Sequence, residues 1–552
     1  MATSRSEPRT AASSLRKDAL ASAASRATAA SDAPFRRVLI ANRGEIAVRV
    51  IRACRELGME TVAVFSDADA SARHVRLADE AVRIGPAPAG DSYLRMEAII
   101  EAALATGSEA IHPGYGFLAE RSTFARAVER AGLVFVGPPS DAIQALGDKL
   151  HARRLARAAG VPAVPGTVQP AAVDRPDTVA PIMAEANEIG FPLLVKAAAG
   201  GGGRGMRRVS TPAELPAALA AGSREAADAF GDGSVYLERE IVPARHIEVQ
   251  LLGDVTGRVV AIGERDCSIQ RRHQKLVEEA PAPGLTVEER RALHRLAVRV
   301  ATLAGLVNAA TAEFLRSPDG SFYFLEVNTR LQVEHGVTEL VSGLDIVREQ
   351  FWLAAGRPLS AEAIAASERA AEPGGHAIEV RIAAEDPSRE FTPTPGPVRR
   401  WEMPAGPGVR VDTAIEVGDR ISPDYDNLIA KLMVHAGDRA AAIRRLRRAL
   451  DETEIAGIQT TLPFHRFVAG HPAFRDGELS TSWVGEWWDG PGELHRATRS
   501  AMLAAGLDAL EHGMAPSAAV GVPTDIARLD SVGDNGRWAS AGRQSATDRW
   551  SS

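Results

Sequence analysis

Residues 325–335, LEVNTRLQVEH, place Glu326, Asn328, Arg330, Gln332 and Glu334 at alternate positions, with Val327, Leu331 and Val333 among the intervening ones. This is the period of an extended strand, so the spacing predicts a strand from Glu326 to Glu334 with its polar side chains on one face. Two carboxylates, a guanidinium and two amides are the groups needed to hold a metal ion, an anion and a base close together. A half-buried strand with a solvated face shows the same alternation, so the rest of the chain has to decide.

A further carboxylate lies just upstream. The Ser-Pro-Asp-Gly sequence at 317–320 predicts a turn between strands at 308–315 and 321–327. If Arg316 pairs with Ser321, Glu313 faces Phe324 and lies diagonal to Glu326, at roughly 7–8 Å. That suits a shared Mg²⁺, which prefers oxygen ligands and commonly takes one or two carboxylates beside nucleotide phosphates and water. Earlier, FPLLVKAAAGGGGRGM carries Lys196 on a buried-type strand before glycines 200–203, Arg204 and Gly205. Consecutive glycines between two strands read as a hairpin lid whose amides cradle phosphate oxygens, with Lys196 supplying charge. The spacing is not that of a Walker loop, since no Lys-Ser or Lys-Thr opens a helix after it. A phosphate lid together with an acidic neighbour favours a metal and phosphate site over a solvated strand.

Two more segments carry polar groups. ERDCSIQRRHQKLVEEAPAP, 264–283, crowds Arg265, Arg271, Arg272, His273 and Lys275 with Asp266 and Gln270. It reads as a pocket for anions, or as a surface salt network of little energetic weight. Cys267 within it reads as a small buried residue. RHIEVQLLGD puts His246, Glu248 and Gln250 on one face, for which a solvated sheet face is the plain reading.

The elements that position these groups begin with RRVLIANRGEIAVRVIRACRELGMETVAVFS, a β–α–β unit with Arg43-Gly44-Glu45 at the strand-to-helix turn. HPGYGFLAE follows a strand at 109–111. Ligands bind off the carboxyl ends of strands in open parallel sheets, so His112, Tyr115 and Glu120 are expected to point to a site. Lys149 sits on a helix before a Gly/Pro-rich linker, and further helices are expected at 91–105, 286–304, 438–449 and about 494–511. The chain divides into a 1–34 Ala/Ser/Arg tail, a 35–136 N-terminal α/β domain, a 137–163 linker helix, a 164–240 lid, a 241–489 catalytic core with C-terminal domain, and a 490–552 helix with polar tail.

Composition bounds the rest. At about 150 residues per domain, the 552 residues call for three or four lobes. No apolar run reaches the ~20 residues of a spanning helix. The net charge of −7 gives no global attraction for nucleic acid. Cys54 and Cys267 are too few for a disulfide framework or a thiolate metal cage, which points to a reducing, cytoplasmic setting. The first thirty residues have almost no large apolar side chains and are expected to be disordered. Glu7, Asp18 and Asp32 count against an organellar targeting peptide.

With these residues assembled, the chain resembles the biotin carboxylase family of ATP-grasp ligases from about Arg36 to Trp488. LIANRGEIA, HPGYGFLAE, KAAAGGGGRGM, RHIEVQ, ERDCSIQRRHQK, EVNTRLQVEH and IEVRIAAEDP carry the likeness. The resemblance implies an α/β ATP-grasp fold with an N-terminal doubly wound parallel sheet, a mobile glycine-rich lid and a C-terminal mixed-sheet domain. It implies carboxylation of biotin with ATP, bicarbonate and Mg²⁺ or Mn²⁺.

By motif position, Lys149, Lys196, Glu238, His246, Gln270 and His273 would bind ATP, with Glu238 towards the adenine and Gly202, Gly203 and Gly205 in the moving lid. Glu313, Glu326 and Asn328 would hold the metal. Lys275, Arg330, Gln332 and the Val333 amide would bind bicarbonate beside the general base Glu334, and Arg381, with Tyr115, would hold biotin. Gly336 stands where the family usually has proline, which is expected to loosen the loop carrying Glu334, and Asp424-Tyr425-Asp426 lacks a usual second tyrosine.

No lysine follows Lys431, so biotin is expected in trans on a carrier protein. A separate carboxyltransferase would complete an acyl-CoA (acetyl- or propionyl-CoA type) carboxylase, and the family implies a homodimer. Neither nucleic acid nor membrane is an expected partner. The rival readings are another ATP-grasp carboxylate ligase and a non-catalytic assembly subunit of the same fold.

Overall fold

The computed structural model describes residues 33–172, 176–198 and 206–511. The lid glycines Gly202, Gly203 and Gly205 therefore lie outside the described residues, as do most of the two expected tails.

Strand β1 (Arg37–Ile40) buries Val38, Leu39 and Ile40 and leads through Gly44, with φ +65, into helix α1 (Gly44–Glu56). Ile46, Ala47, Val50, Ile51 and Cys54 recur at helical spacing on the buried side of α1. Strands β2 (Glu60–Ser66), β3 (Glu80–Gly85), β4 (Ala110–His112) and β5 (Val134–Phe135) complete a parallel sheet of order β3-β2-β1-β4-β5. The order reverses between β1 and β4, so a crevice opens off their carboxyl ends. The α1 N-terminus and the 112–120 loop both lie there.

Helix α2 (Lys149–Ala158) is capped by Asp148, whose carboxylate accepts the His151 N–H at 2.9 Å. The lid sheet contains β6 (Ala171–Ala172), β7 (Leu193–Ala197), β8 (Arg207–Val209) and β9 (Ser234–Arg239), antiparallel in the order β6-β9-β7-β8. Alternation on β7 buries Leu193, Val195 and Ala197 and leaves Lys196 on the other face, towards the cavity described below.

The remaining lobe is built on one large sheet. Its strands are β10 (Arg245–Gly253), β11 (Val259–Arg271), β12 (Gln274–Ala280), then, after helix α3 (Val287–Leu303), β13 (Asn308–Arg316) and β14 (Phe322–Asn328). Helix α4 (His335–Ser342) follows, and β15 (His376–Ala383), β16 (Val409–Thr413) and β17 (Leu428–Ala436) complete the sheet. The order is β14-β13-β10-β11-β12-β15-β17-β16, and every pairing is antiparallel. Strands β15, β17 and β16 thus extend the core sheet beyond β12, and shorter C-terminal strands pair in two-stranded sheets beside it. Strand direction depends on non-local pairing, which local sequence pattern does not encode.

One face of this sheet packs Ile247, Val249, Ala312 and Phe314 against Leu293, Ala297 and Val300 of α3. The other face carries His246, Glu248, Gln250 and Glu313. Helix α5 (Arg439–Glu452) covers β15 and β17, and α6 (Gly490–Glu511) ends the described chain with Met502, Leu503, Leu507 and Leu510 exposed. Among the described residues no helix is long and apolar enough to cross a membrane.

Two local expectations change. The ladder between β13 and β14 ends at the Thr311–Asn328 pair, so the strand stops six residues short of Glu334, which caps α4. Past Asn328 there is no partner strand among the described residues. Glu120, from the loop after β4, takes the Thr329 N–H at 3.1 Å and the Arg330 Nε at 2.8 Å, long-range side-chain bonds in place of a ladder. The turn before β14 also pairs Arg316 with Phe322 rather than Ser321, and a bulge at Leu325 brings Glu313 directly opposite Glu326 instead of diagonal to it.

Candidate active site

A cavity of about 1210 Å³ lies where the parallel sheet, the lid and the large sheet meet. Every described residue given a role by the family resemblance lines it, from Lys149 and Lys196 at one end to Tyr115 and Arg381 at the other. His112 does not. Its ring is fully buried against Phe351, its Nδ1 accepts the Gly114 N–H at 3.0 Å, and burial drives its pKa down to about 3. It is a structural residue beneath the loop that carries Tyr115.

The centre of the site is Lys275 on β12. Its ammonium lies 2.5 Å from Glu248, 2.8 Å from Glu313 and 2.7 Å from Glu334. Burial alone would strip its proton, but Glu248, Glu313 and Glu334 outweigh burial and hold it charged. Burial would likewise push the Glu334 carboxyl up, yet Lys275, Arg381 and Arg265 keep it well below the usual carboxylate range. The same contest lowers Glu313, with Lys275 and the His246 ring opposing burial.

Arg381 spans two carboxylates, donating at 2.9 Å to Glu334 and at 2.5 Å to Glu278. Glu278 responds in the opposite sense, since burial pushes it to about 7 despite Arg381. Two acids on one guanidinium are thus driven apart, one ionised and one near neutrality.

Arg330 is held by Glu120, by the Gln332 side-chain oxygen at 2.6 Å and by Asn328 at 3.0 Å. Gln332 and Asn328 donate in turn to Glu313, at 3.1 and 2.9 Å. The polar groups of the 326–334 segment converge on one another through a turn, not along a strand face.

At the other end, Lys149 lies 3.6 Å from Glu326. Lys196 and Arg153 both bond the carboxylate of Glu238, which is 2% exposed. The Glu238 side chain therefore steadies the lysine instead of being free to meet a base. Arg272 and His273 form a two-residue turn between β11 and β12 with φ of +49 and +66. Left-handed backbone at residues other than glycine costs about 1–3 kcal/mol each, and here it turns both side chains into the cavity.

The donors suit magnesium. Glu313 and Glu326 offer hard oxygens from facing positions, and their negative charge is met here by Lys275 and Lys149. The Asn328 oxygen already accepts from Arg330, so this amide braces the carboxylates rather than offering its oxygen.

Sequence pattern missed three groups. Glu248, read as facing solvent, is 0% exposed beside Lys275. Arg265 is 0% exposed and bonds Glu248, Gln250, Thr311 and Thr338 instead of lining the anion pocket. Glu278 carried no assigned role. Period-two alternation looks the same for a solvated face and for one roofed by a helix, and α4 provides that roof. Arg271 also leaves the anion pocket, pairing with Glu390 over the Phe391 ring.

Gly336, expected to loosen the Glu334 loop, is buried. A Cβ there would lie 2.3 Å from the Met433 sulfur, so Met433 occupies the space that a larger residue would need.

Known family models match three successive stretches. They are the biotin carboxylase N-terminal domain over 34–143, the carbamoyl-phosphate synthase L chain ATP binding domain over 148–362, and the biotin carboxylase C-terminal domain over 379–486. A pyruvate carboxylase subunit of Methanothermobacter thermautotrophicus is 48% identical over 453 residues, covering 82% of this chain and 90% of that protein. The biotin-dependent acyl-coenzyme A carboxylase alpha3 subunit of Mycobacterium leprae is 48% identical over 457 residues, covering 82% and 75%. A crystal structure of the biotin carboxylase domain dimer of Hydrogenobacter thermophilus 2-oxoglutarate carboxylase, with MgADP, ADP and bicarbonate, matches at TM-score 0.78 and 46% identity over 82% of this chain and 97% of that one.

Proposed function

The chain belongs to the biotin carboxylase family, and we infer from this that it is the ATP-dependent ligase that carboxylates biotin with bicarbonate. The observation that carries the residue assignment is the placing of Glu334 between Lys275 and Arg381, in the same cavity as Lys149 and Lys196.

Lys149 and Lys196 hold the nucleotide phosphates, and a magnesium ion on Glu313 and Glu326 would neutralise charge on them. Arg330, Gln332 and the Val333 amide orient bicarbonate. Glu334 removes its proton, and the freed oxygen attacks the γ-phosphorus to give carboxyphosphate and ADP. Positioning and cations supply most of the catalysis in such a transfer. Glu334 is a weak base while both Lys275 and Arg381 are bonded to it. An entering anion that shares Lys275 raises its basicity when it is needed. Arg381, with Tyr115 nearby, holds the biotin ureido oxygen and stabilises the anion formed during carboxyl transfer.

We further propose that the biotin is presented by a lysine outside these residues, on a carrier protein, and that a separate carboxyltransferase completes the reaction in the cytoplasm. Relatives at equal identity are named for pyruvate and for acyl-CoA carboxylases, as expected if the acceptor never meets this chain. An acyl-CoA is the acceptor we favour, because α6 extends past the family match and resembles the start of the linker in the longer acyl-CoA carboxylase α-chains. Homodimer formation is proposed by likeness to the dimeric relative.

Free biotin and bicarbonate should together stimulate ATP hydrolysis. Stimulation by an amino acid or other nucleophile, indifferent to biotin, would point to a different ATP-grasp ligase. No stimulation in folded, nucleotide-binding protein would point to a non-catalytic assembly role.

A further inference from the structure

Lys431 on β17 is fully buried and lies opposite Arg381 on β15, yet nothing in the reaction described above uses it. Its ammonium donates to the Val333 carbonyl at 2.8 Å and lies 3.3 Å from Glu45 and 3.7 Å from Asp412. Each contact leads to a different part of the molecule. Glu45 opens α1 in the parallel-sheet domain and accepts from the Tyr115 hydroxyl. Asp412 on β16 is held through both oxygens by Arg410, which also donates to Glu339 of α4 at 2.6 Å. Val333 immediately precedes Glu334.

The Val333 carbonyl belongs to the peptide that enters Glu334, so fixing that oxygen fixes the plane from which the Glu334 side chain departs. The preceding carbonyl, of Gln332, is held from the other side by the His335 ring at 2.7 Å. A charged donor inside a dry interior makes a strong bond to a carbonyl. Leu331 and Gln332 are buried around the same turn.

We propose that Lys431 is a positioning residue for bicarbonate deprotonation: it clamps the Val333–Glu334 peptide and ties that turn to Glu45 beside Tyr115 and to the α4 anchor at Asp412. The proposal rests on the reading of Glu334 as the base and adds a residue that touches no substrate.

The test compares Lys431→Met/Glu45→Gln with Glu45→Gln and the wild type. Removing Lys431 alone leaves Glu45 without its cation and invites unfolding. The double variant restores charge balance and keeps an acceptor for Tyr115. The expected result is a folded protein with near wild-type KM for ATP and a bicarbonate KM raised about tenfold, the scale of one charge-assisted hydrogen bond. Glu45→Gln alone should leave the bicarbonate KM within about twofold. A ¹³C label at the Val333 carbonyl should shift in the double variant and stay in place in Glu45→Gln. A folded double variant with unchanged bicarbonate KM and unchanged carbonyl shift overturns the proposal, as does an equal rise in Glu45→Gln. If the wild type shows no bicarbonate-dependent stimulation, the base assignment falls, while the carbonyl shift still reports whether Lys431 holds Val333.

Discussion

The Arg381 guanidinium donates to Glu334 across 2.9 Å, and this bond joins the part of the cavity proposed for bicarbonate to the part proposed for biotin. The same carboxylate oxygen pair faces Lys275 on its other side, at 2.7 Å. On the proposed reading of Glu334 as the base, a carboxylate gripped by two cations is released by substrates that compete for them.

Glu334→Gln should therefore remove biotin- and bicarbonate-stimulated ATP hydrolysis by about 10²–10⁴-fold. MgATP binding, read by calorimetry, should stay close to wild type because Lys149 and Lys196 are untouched. Loss of nucleotide binding in a folded variant would mean that Glu334 is not the base.

Glu278 makes a pH-dependent contribution to stability. Its carboxyl is raised to about 7 in the fold from an ordinary 4.5. The folded state therefore keeps a proton that the unfolded state loses, and the stability this provides is present below about 4.5 and lost as pH rises through about 7. Urea midpoints of the wild type should fall across this window more steeply than those of Glu278→Gln. Parallel curves would show that Glu278 is ionised throughout.

Glu326→Gln should raise the magnesium concentration for half-maximal ATP hydrolysis at least about tenfold, and chelation with EDTA should abolish turnover in both proteins. The substitution leaves Lys275 with its three carboxylates, so bicarbonate KM at saturating magnesium should change little. An unchanged metal requirement would remove Glu326 from the metal site.

Gly336→Ala should cost about 1–3 kcal/mol by overpacking, because the new Cβ meets the Met433 sulfur. Trimming that neighbour in Gly336→Ala/Met433→Val should recover most of the loss in urea denaturation. Equal destabilisation in both variants would separate the two positions.

Much of this was legible in the residues themselves. The β–α–β pattern around Arg43-Gly44-Glu45, the strand carrying Lys196 and the helix at 287–303 follow from hydrophobic period and turn residues, which act over a few positions. Nearly all of the site assignments came from short motifs, and the cavity gathers every described residue assigned by family resemblance, while His112, Arg265 and Arg271 lie away from it. Glu248, Arg265 and Glu278 stayed hidden because their roles depend on what covers them. Burial of a polar strand face is a property of the neighbour packed on it, here α4 and the strands from β12 onward.

The sequence alone determined which chemical groups this protein possesses and their order along the chain. The tertiary structure decided which of them meet around one cation. It ended β14 at Asn328, slipped the register so that Glu313 meets Glu326, and brought Lys275, Arg381 and Lys431 around the turn before α4. Those outcomes rest on pairings between residues tens to hundreds of positions apart. Electrostatic energy in a buried site depends on distance in space, and that distance has no image in the spacing of residues along the chain.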